Sequence, residues 1–168
     1  VALDVGVEVA LADSDGALVP NPRLGAAMAP VLAKRQRQLS KKQKGSKNEA
    51  KAKEKVARVH RKLRRQRDHF LHTQSHRYAK RHSVVVVEAL KVKNMTRSAR
   101  GTEQEPGTRV AQKAGLNRAL LDVAPGRLVA LLKGKVARYG GRVVEVPAAY
   151  SSQECAECEH VAAENRPT

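Results

Sequence analysis

Aromatic side chains are almost missing from this 168-residue sequence. Phe70, Tyr78, Tyr139 and Tyr150 are the whole set, and neither Trp nor Ile occurs. Any hydrophobic core must come from Val, Leu and Ala, with few large anchors. Cysteine is equally scarce. Cys155 and Cys158 alone cannot build a disulfide scaffold, and their Cys-x-x-Cys spacing points to metal or redox chemistry in a reducing compartment, so a cytoplasmic location is expected. No apolar run approaches the roughly 18 residues that a membrane-spanning helix needs, and no membrane partner is expected. The N-terminus carries Asp4 and Glu8 where a secretory signal would be basic and then apolar. The first residue is Val1 rather than Met, which suggests a fragment or an alternative start codon.

Acidic residues are outnumbered: 16 Asp and Glu against 33 Lys and Arg leave a formal charge of +17. Such a balance calls for a polyanionic partner, most simply nucleic acid. The excess is concentrated. Residues 34–67 hold sixteen Lys and Arg against Glu49 and Glu54, a net charge of +14. Lys41, Lys42, Lys44, Lys47, Lys51, Arg58, Arg61, Lys62, Arg64 and Arg65 are the candidate phosphate contacts. A charged segment is often only a solvated face, but self-repulsion at this density wants a counter-charge. Phosphate contacts of this kind carry no sequence specificity, and aromatic residues interleaved for base stacking are lacking.

The length suits one domain with at most a small appendage. Ala2–Val7, Val9–Ala12 and Ala17–Val19 read as antiparallel strands, with a turn at Ser14-Asp15-Gly16. Residues 30–81 read as a helical hairpin. Pro30 suits a first helical turn, Gly45 stops the first helix, and Ser46 with Glu49 forms a capping box for the second. Val56, Val59, Leu63 and Phe70 give that second helix a narrow apolar stripe. Ser83–Glu88 is a continuous apolar run of the kind found in a strand buried on both faces. Residues 96–115 read as a mobile loop. Leu128, Leu131, Leu132, Val136 and Tyr139 mark an amphipathic helix opened by Pro125 and closed by Gly140-Gly141, and Val143–Val146 is a last strand. Antiparallel strands followed by alternating strand and helix predict a mixed sheet in an α/β domain.

Two carboxylates stand out. Asp4 lies inside an apolar strand beside Gly6, and Glu88 ends the run VVVVE. A carboxylate there costs free energy unless it is paired or binds a cation, and ligands of α/β sheets favour strand carboxyl ends. On adjacent strands the pair could hold divalent cations for phosphoryl transfer. Alternatively, Asp4 begins a turn and Glu88 faces solvent. Cys155 and Cys158 supply half of a tetrahedral zinc site, with His160 the one nearby nitrogen ligand. His69, His72 and His76 are expected to be surface residues of the basic helix.

Residues 39–80, then VVVVEALKVKNM at 84–95, then SSQECAEC at 151–158, with ALDVGVEVALADSDG at the start, together resemble the TnpB/OrfB transposon-associated proteins. These are RNA-guided nucleases related to type V CRISPR effectors and long labelled transposases. The resemblance implies an RNase H-like (RuvC-like) nuclease domain over residues 1–150, with the basic helical hairpin of about 30–81 as an insertion and the N-terminal half of a zinc ribbon over 151–168. It puts the first two catalytic acids on Asp4 and Glu88, with magnesium or manganese as their metal, and the first zinc ligands on Cys155 and Cys158. DNA and guide RNA are the partners it implies. The family's third acid and second Cys-x-x-Cys lie further on than Thr168, its N-terminal domains precede Val1, and Glu159 stands where relatives usually carry Gly. A chain shortened at both ends is therefore expected, with missing segments open to supply by another chain. The expected function is a transposon-encoded RNA-guided DNA endonuclease, incomplete here. The alternative is a catalytically inactive nucleic-acid-binding fragment or remnant of a mobile element.

Overall fold

A computed structural model describes residues 1–147 and Ala162. Cys155, Cys158 and His160, and with them the half zinc ribbon, lie outside the described residues. The chain runs β1 (Ala2–Asp4), β2 (Val9–Asp13), β3 (Leu18–Pro20), α1 (Leu24–Ser40), α2 (Lys47–Arg81), β4 (Val84–Glu88), α3 (Val92–Met95), α4 (Val110–Val123), α5 (Pro125–Arg138) and β5 (Arg142–Val146). The five strands form one sheet in the order β3-β2-β1-β4-β5. β1–β2 and β2–β3 are antiparallel, while β1–β4 and β4–β5 are parallel. The mixed sheet expected from the strand pattern is present, with β1 at its centre between β2 and β4.

One face of this sheet carries the core. Leu3, Leu11, Val19, Val85 and Val87 pack with Leu71, Tyr78 and Ala79 of α2 and Leu128, Leu132 and Val136 of α5. Burial alternates along β4: Val85 and Val87 are at most 2% exposed, whereas Val84 is 37% exposed. The run VVVVE is therefore not a strand buried on both faces. Its apolar continuity reflects a central position between β1 and β5, with Val84, Val86 and Glu88 on the face opposite the described core helices.

The helical hairpin is longer than Pro30 suggests. α1 starts at Leu24, and Pro30 lies in its interior, where the bond from residue 30 to the Ala26 carbonyl is forgone. The earlier start has a long-range cause. The helix has no side-chain cap of its own, and the carboxylate of Asp122 in α4 accepts the first-turn N–H of Gly25 at 2.7 Å. A Cβ on residue 25 would meet that carboxylate at 2.9 Å, so glycine permits the approach. The same Asp122 accepts from Arg67 Nε of α2 at 2.6 Å, joining three helices at one anion. α1 ends at Ser40, and Gly45 sits in the connecting loop with φ +77°.

The second helix begins as its capping box predicts. Glu49 N–H donates to Ser46 Oγ at 3.1 Å, and the Glu49 carboxylate reaches back one residue further than in the usual box, to Gly45 N–H at 2.7 Å, while Ser46 N–H donates to the Gln43 carbonyl. Its other end is fastened to the sheet. Tyr78, 2% exposed, donates its hydroxyl proton to Asp13 Oδ2 at 2.9 Å. Burial, and then the Asp13 carboxylate, push the Tyr78 hydroxyl up to about 12. Asp13 is held below the usual carboxylate range, mainly by the N–H of Ala17 in the β2–β3 turn.

The predicted loop over 96–115 is shorter than expected, because α4 begins at Val110. Gly115 disguised this helix, although Leu116, Leu120 and Val123 are spaced at helical intervals. Residues 96–109 form the loop itself, pinched by a bridge between Gly101 and Pro106. Lys113 and Asn117 of α4 tie its start, donating to the carbonyls of Met95 and Thr96 at 2.6 and 2.9 Å. α5 opens at Pro125, and Gly140, at φ +76°, follows its end, as predicted.

Candidate active site and nucleic-acid interface

Strand register brings the two candidate acids together. Ala2 pairs with Val86 and Leu3 with Val87 in the parallel β1–β4 ladder. The next position on each strand is Asp4 on β1 and Glu88 on β4. Side chains alternate across a sheet, and Leu3 and Val87 face the core, so Asp4 and Glu88 share the opposite face at the carboxyl ends of neighbouring strands. Asp4 is exposed and Glu88 half-buried. Neither is interred among apolar groups, so both are reachable from solvent. Ala89 N–H donates to the Val146 carbonyl at 2.8 Å, which fixes the chain leaving β4 against β5. Among the described residues no group of three or more His, Cys, Asp and Glu gathers in one place.

All ten candidate phosphate contacts are exposed and lie on the hairpin: Lys41, Lys42 and Lys44 at the bend, and Lys47, Lys51, Arg58, Arg61, Lys62, Arg64 and Arg65 along α2. The two acids of the segment do little to offset them. Glu49 pairs with Lys53 and Glu54 with Arg58, each at 2.8 Å and one helical turn away. Those partners draw both carboxyls below their ordinary range. The outer hairpin is thus a rod of positive charge whose few anions are satisfied within it.

Two recesses lie along this rod. Near the bend, Arg35 of α1 and Lys41, Lys42, Lys51 and Lys55 line a polar groove of about 430 Å³ between the two arms. Further down, Arg58, Arg61, Lys62 and Arg65 border a larger groove of about 610 Å³ whose lining also includes Leu24, His69 and Phe70. Arg35 and Lys55, which are not among the ten candidates, come to the first groove through pairing of the arms rather than local spacing. His69, His72 and His76 are exposed as expected, but His69 lines the second groove.

The OrfB_IS605 family model, described as "Probable transposase", matches residues 1–99. The chain belongs to the OrfB_IS605 family. A second model, the Cas12f1-like TNB domain, matches residues 126–167. The OrfB_IS605 match includes Asp4, Glu88 and the entire cationic hairpin, and the TNB-domain match includes Cys155 and Cys158. The chain is 42% identical over 166 residues to the "Putative RNA-guided DNA endonuclease InsQ" of Escherichia coli (strain K12), a match covering 99% of this chain and 41% of that protein. A protein of the same description from Streptomyces pristinaespiralis is 34% identical over 159 residues, covering 94% of this chain and 36% of its own. The chain thus spans about two fifths or less of the length of these curated relatives. In fold it is similar to Cas12f1 in a complex with sgRNA and target DNA, with a TM-score of 0.55 and 18% identity over 95% of this chain and 38% of that one. A Cas12f ternary complex gives the same TM-score at 19% identity.

Proposed function

We propose that this OrfB_IS605 chain is the catalytic core and backbone-binding arm of an RNA-guided DNA endonuclease, acting by metal-dependent phosphodiester hydrolysis. In this reading residues 1–150 are a RuvC-like domain of the RNase H fold. The hairpin, α1 and α2 with their bend, is an insertion in it, and residues 151–168 are the first half of a zinc ribbon to which Cys155 and Cys158 bring two thiolates. Target DNA and guide RNA are its partners. The observation that supports the reading most is the register of β1 on β4, which sets Asp4 beside Glu88.

The donor set fits magnesium or manganese. Such ions are held by one or two carboxylates, with water and substrate phosphates completing the shell. A cation bound there would activate water and stabilise the leaving oxygen. Asp4 and Glu88 would hold it from two strands that share backbone hydrogen bonds. The cationic hairpin would neutralise the phosphodiester backbone and retain it near the strand ends, a task of charge and position rather than of base reading.

The test is a magnesium-dependent cleavage assay on guide-matched DNA. It compares the chain as it stands with a form joined to the segments by which its curated relatives exceed it. Cutting by the extended form, abolished in Asp4→Ala and in Glu88→Ala, is the expected result. Cutting that survives both substitutions overturns the assignment.

A further inference from the structure

The groove along the shaft of α2 differs from the groove at the bend in one respect that charge does not explain. The bend groove is walled by cations and amides, with Ala52 its one apolar residue. The shaft groove adds Pro22, Leu24, His69 and Phe70 to its cations. Phe70 is half-buried: it packs against the hydrophobic core while also lining the groove. Its ring is therefore held by the core on one side.

Arg61, Lys62 and Arg65 form no ion pair among the described residues, and Arg58 has only its exposed pair with Glu54. Exposed pairs of that kind are weak and readily exchanged for another anion. A ligand for this groove must then be anionic along its edge and apolar and flat in its middle. A peptide with acidic side chains satisfies the first condition without the second. A base pair within a duplex hides both its faces in the stack. An unpaired nucleotide satisfies both, with phosphates on the cations and a base face on an aromatic side chain.

We propose that the shaft groove, with Arg61, Lys62 and Arg65 on its border and Phe70 and His69 in its lining, is a subsite for unpaired nucleotides of a single-stranded nucleic acid, while the bend groove takes only backbone phosphates. The inference rests on the nucleic-acid-binding part of the proposed function and adds a base-dependent component to it.

The experiment measures affinity at low salt for four labelled probes: an oligothymidine strand, the same strand made of abasic sites, its RNA counterpart, and a duplex of equal length. Stacking of even one base is worth about fivefold or more in affinity. The intact DNA strand is therefore expected to bind at least about fivefold tighter than the abasic strand. The RNA strand should match it, since stacking does not depend on the sugar. Phe70→Leu keeps an apolar side chain on the core and should abolish this preference while leaving duplex affinity within about twofold. His69→Ala, on an exposed side chain with no core role, should reduce the preference. Lys41→Glu with Lys42→Glu at the bend should weaken all probes alike and preserve it. Equal affinity for intact and abasic strands, with salt-sensitive binding of both, overturns this inference alone. Absence of binding to any probe overturns the nucleic-acid reading beneath it as well.

Discussion

The outer hairpin and the carboxyl ends of β1 and β4 are opposite in charge and opposite in origin. The hairpin collects its cations from consecutive residues, so its character is local: any helix written with residues 47–67 would be a positive rod. The acidic pair comes from residues 84 positions apart, joined only when β4 docks beside β1 in one register. The first region tolerates single changes, because sixteen cations share the work. The second has two members, and a slip of one residue in the pairing would turn one carboxylate to the other face. Both depend on the same frame, since the inner end of α2 packs on the sheet through Leu71, Tyr78 and Ala79.

That dependence gives the largest expected effect. Leu71→Ala removes a side chain only 3% exposed at the meeting of hairpin and sheet. It should cost about 2–5 kcal/mol of stability, and nucleic-acid and metal binding should weaken together. Denaturant unfolding with the two binding assays checks this. A variant of normal affinity for both ligands but reduced stability would show that the regions are less coupled than the packing implies.

Next in size is the separation of the two regions. Arg61, Lys62, Arg64 and Arg65 changed together to Glu should lower nucleic-acid affinity by about a hundredfold at low salt. The slope of log affinity against log salt on duplex DNA should become shallower by about 3 to 4, near 0.9 for each phosphate that is no longer neutralised. Stability should change by no more than about 0.5 kcal/mol, because all four side chains are exposed. Asp4→Asn with Glu88→Gln should do the reverse, leaving this affinity within about twofold.

A smaller loss is expected at the junction of three helices. Asp122→Asn leaves Arg67 without its counter-ion and weakens the cap on Gly25. It should cost about 1–3 kcal/mol, readable as a lower unfolding midpoint and faster amide exchange in the first turn of α1. The smallest effect is set by pH. The Tyr78 hydroxyl, raised to about 12 in the folded protein, titrates near 10 when unfolded. The folded state thus keeps a proton that the unfolded state gives up. The stability tied to that proton is complete below pH of about 10 and is lost as pH rises through about 12. Tyr78→Phe should lower stability by about 1 kcal/mol near neutral pH and flatten the alkaline limb of the pH–stability curve. An unchanged alkaline limb would mean that Tyr78 does not carry it.

Legibility followed the same division. The capping box at Ser46 and Glu49, Pro125 at the start of α5 and the five strands were readable because their signals lie within a few residues. The start of α1 was not, because its cap arrives from Asp122, 97 positions away. α4 was obscured by Gly115, and the open face of β4 by a valine run that reads alike whether one face is covered or two. Asp4 and Glu88 could be named as candidates, but their adjacency is a matter of register. The aromatic lining of the shaft groove went unseen because Phe70 follows the basic cluster in sequence and joins it only where Pro22 and Leu24 close the groove.

Everything proposed for the strand ends requires Asp4 and Glu88 to form one divalent-cation site. Titrating the protein with manganese while recording backbone amide spectra tests it most directly, since the paramagnetic ion broadens signals close to where it binds. Amides around Asp4 and Glu88, on β1, β4 and the residues just after them, should broaden first, and Asp4→Asn with Glu88→Gln should abolish this while the spectrum otherwise stays folded. Broadening that begins elsewhere, or persists at these amides in the double variant, would contradict it.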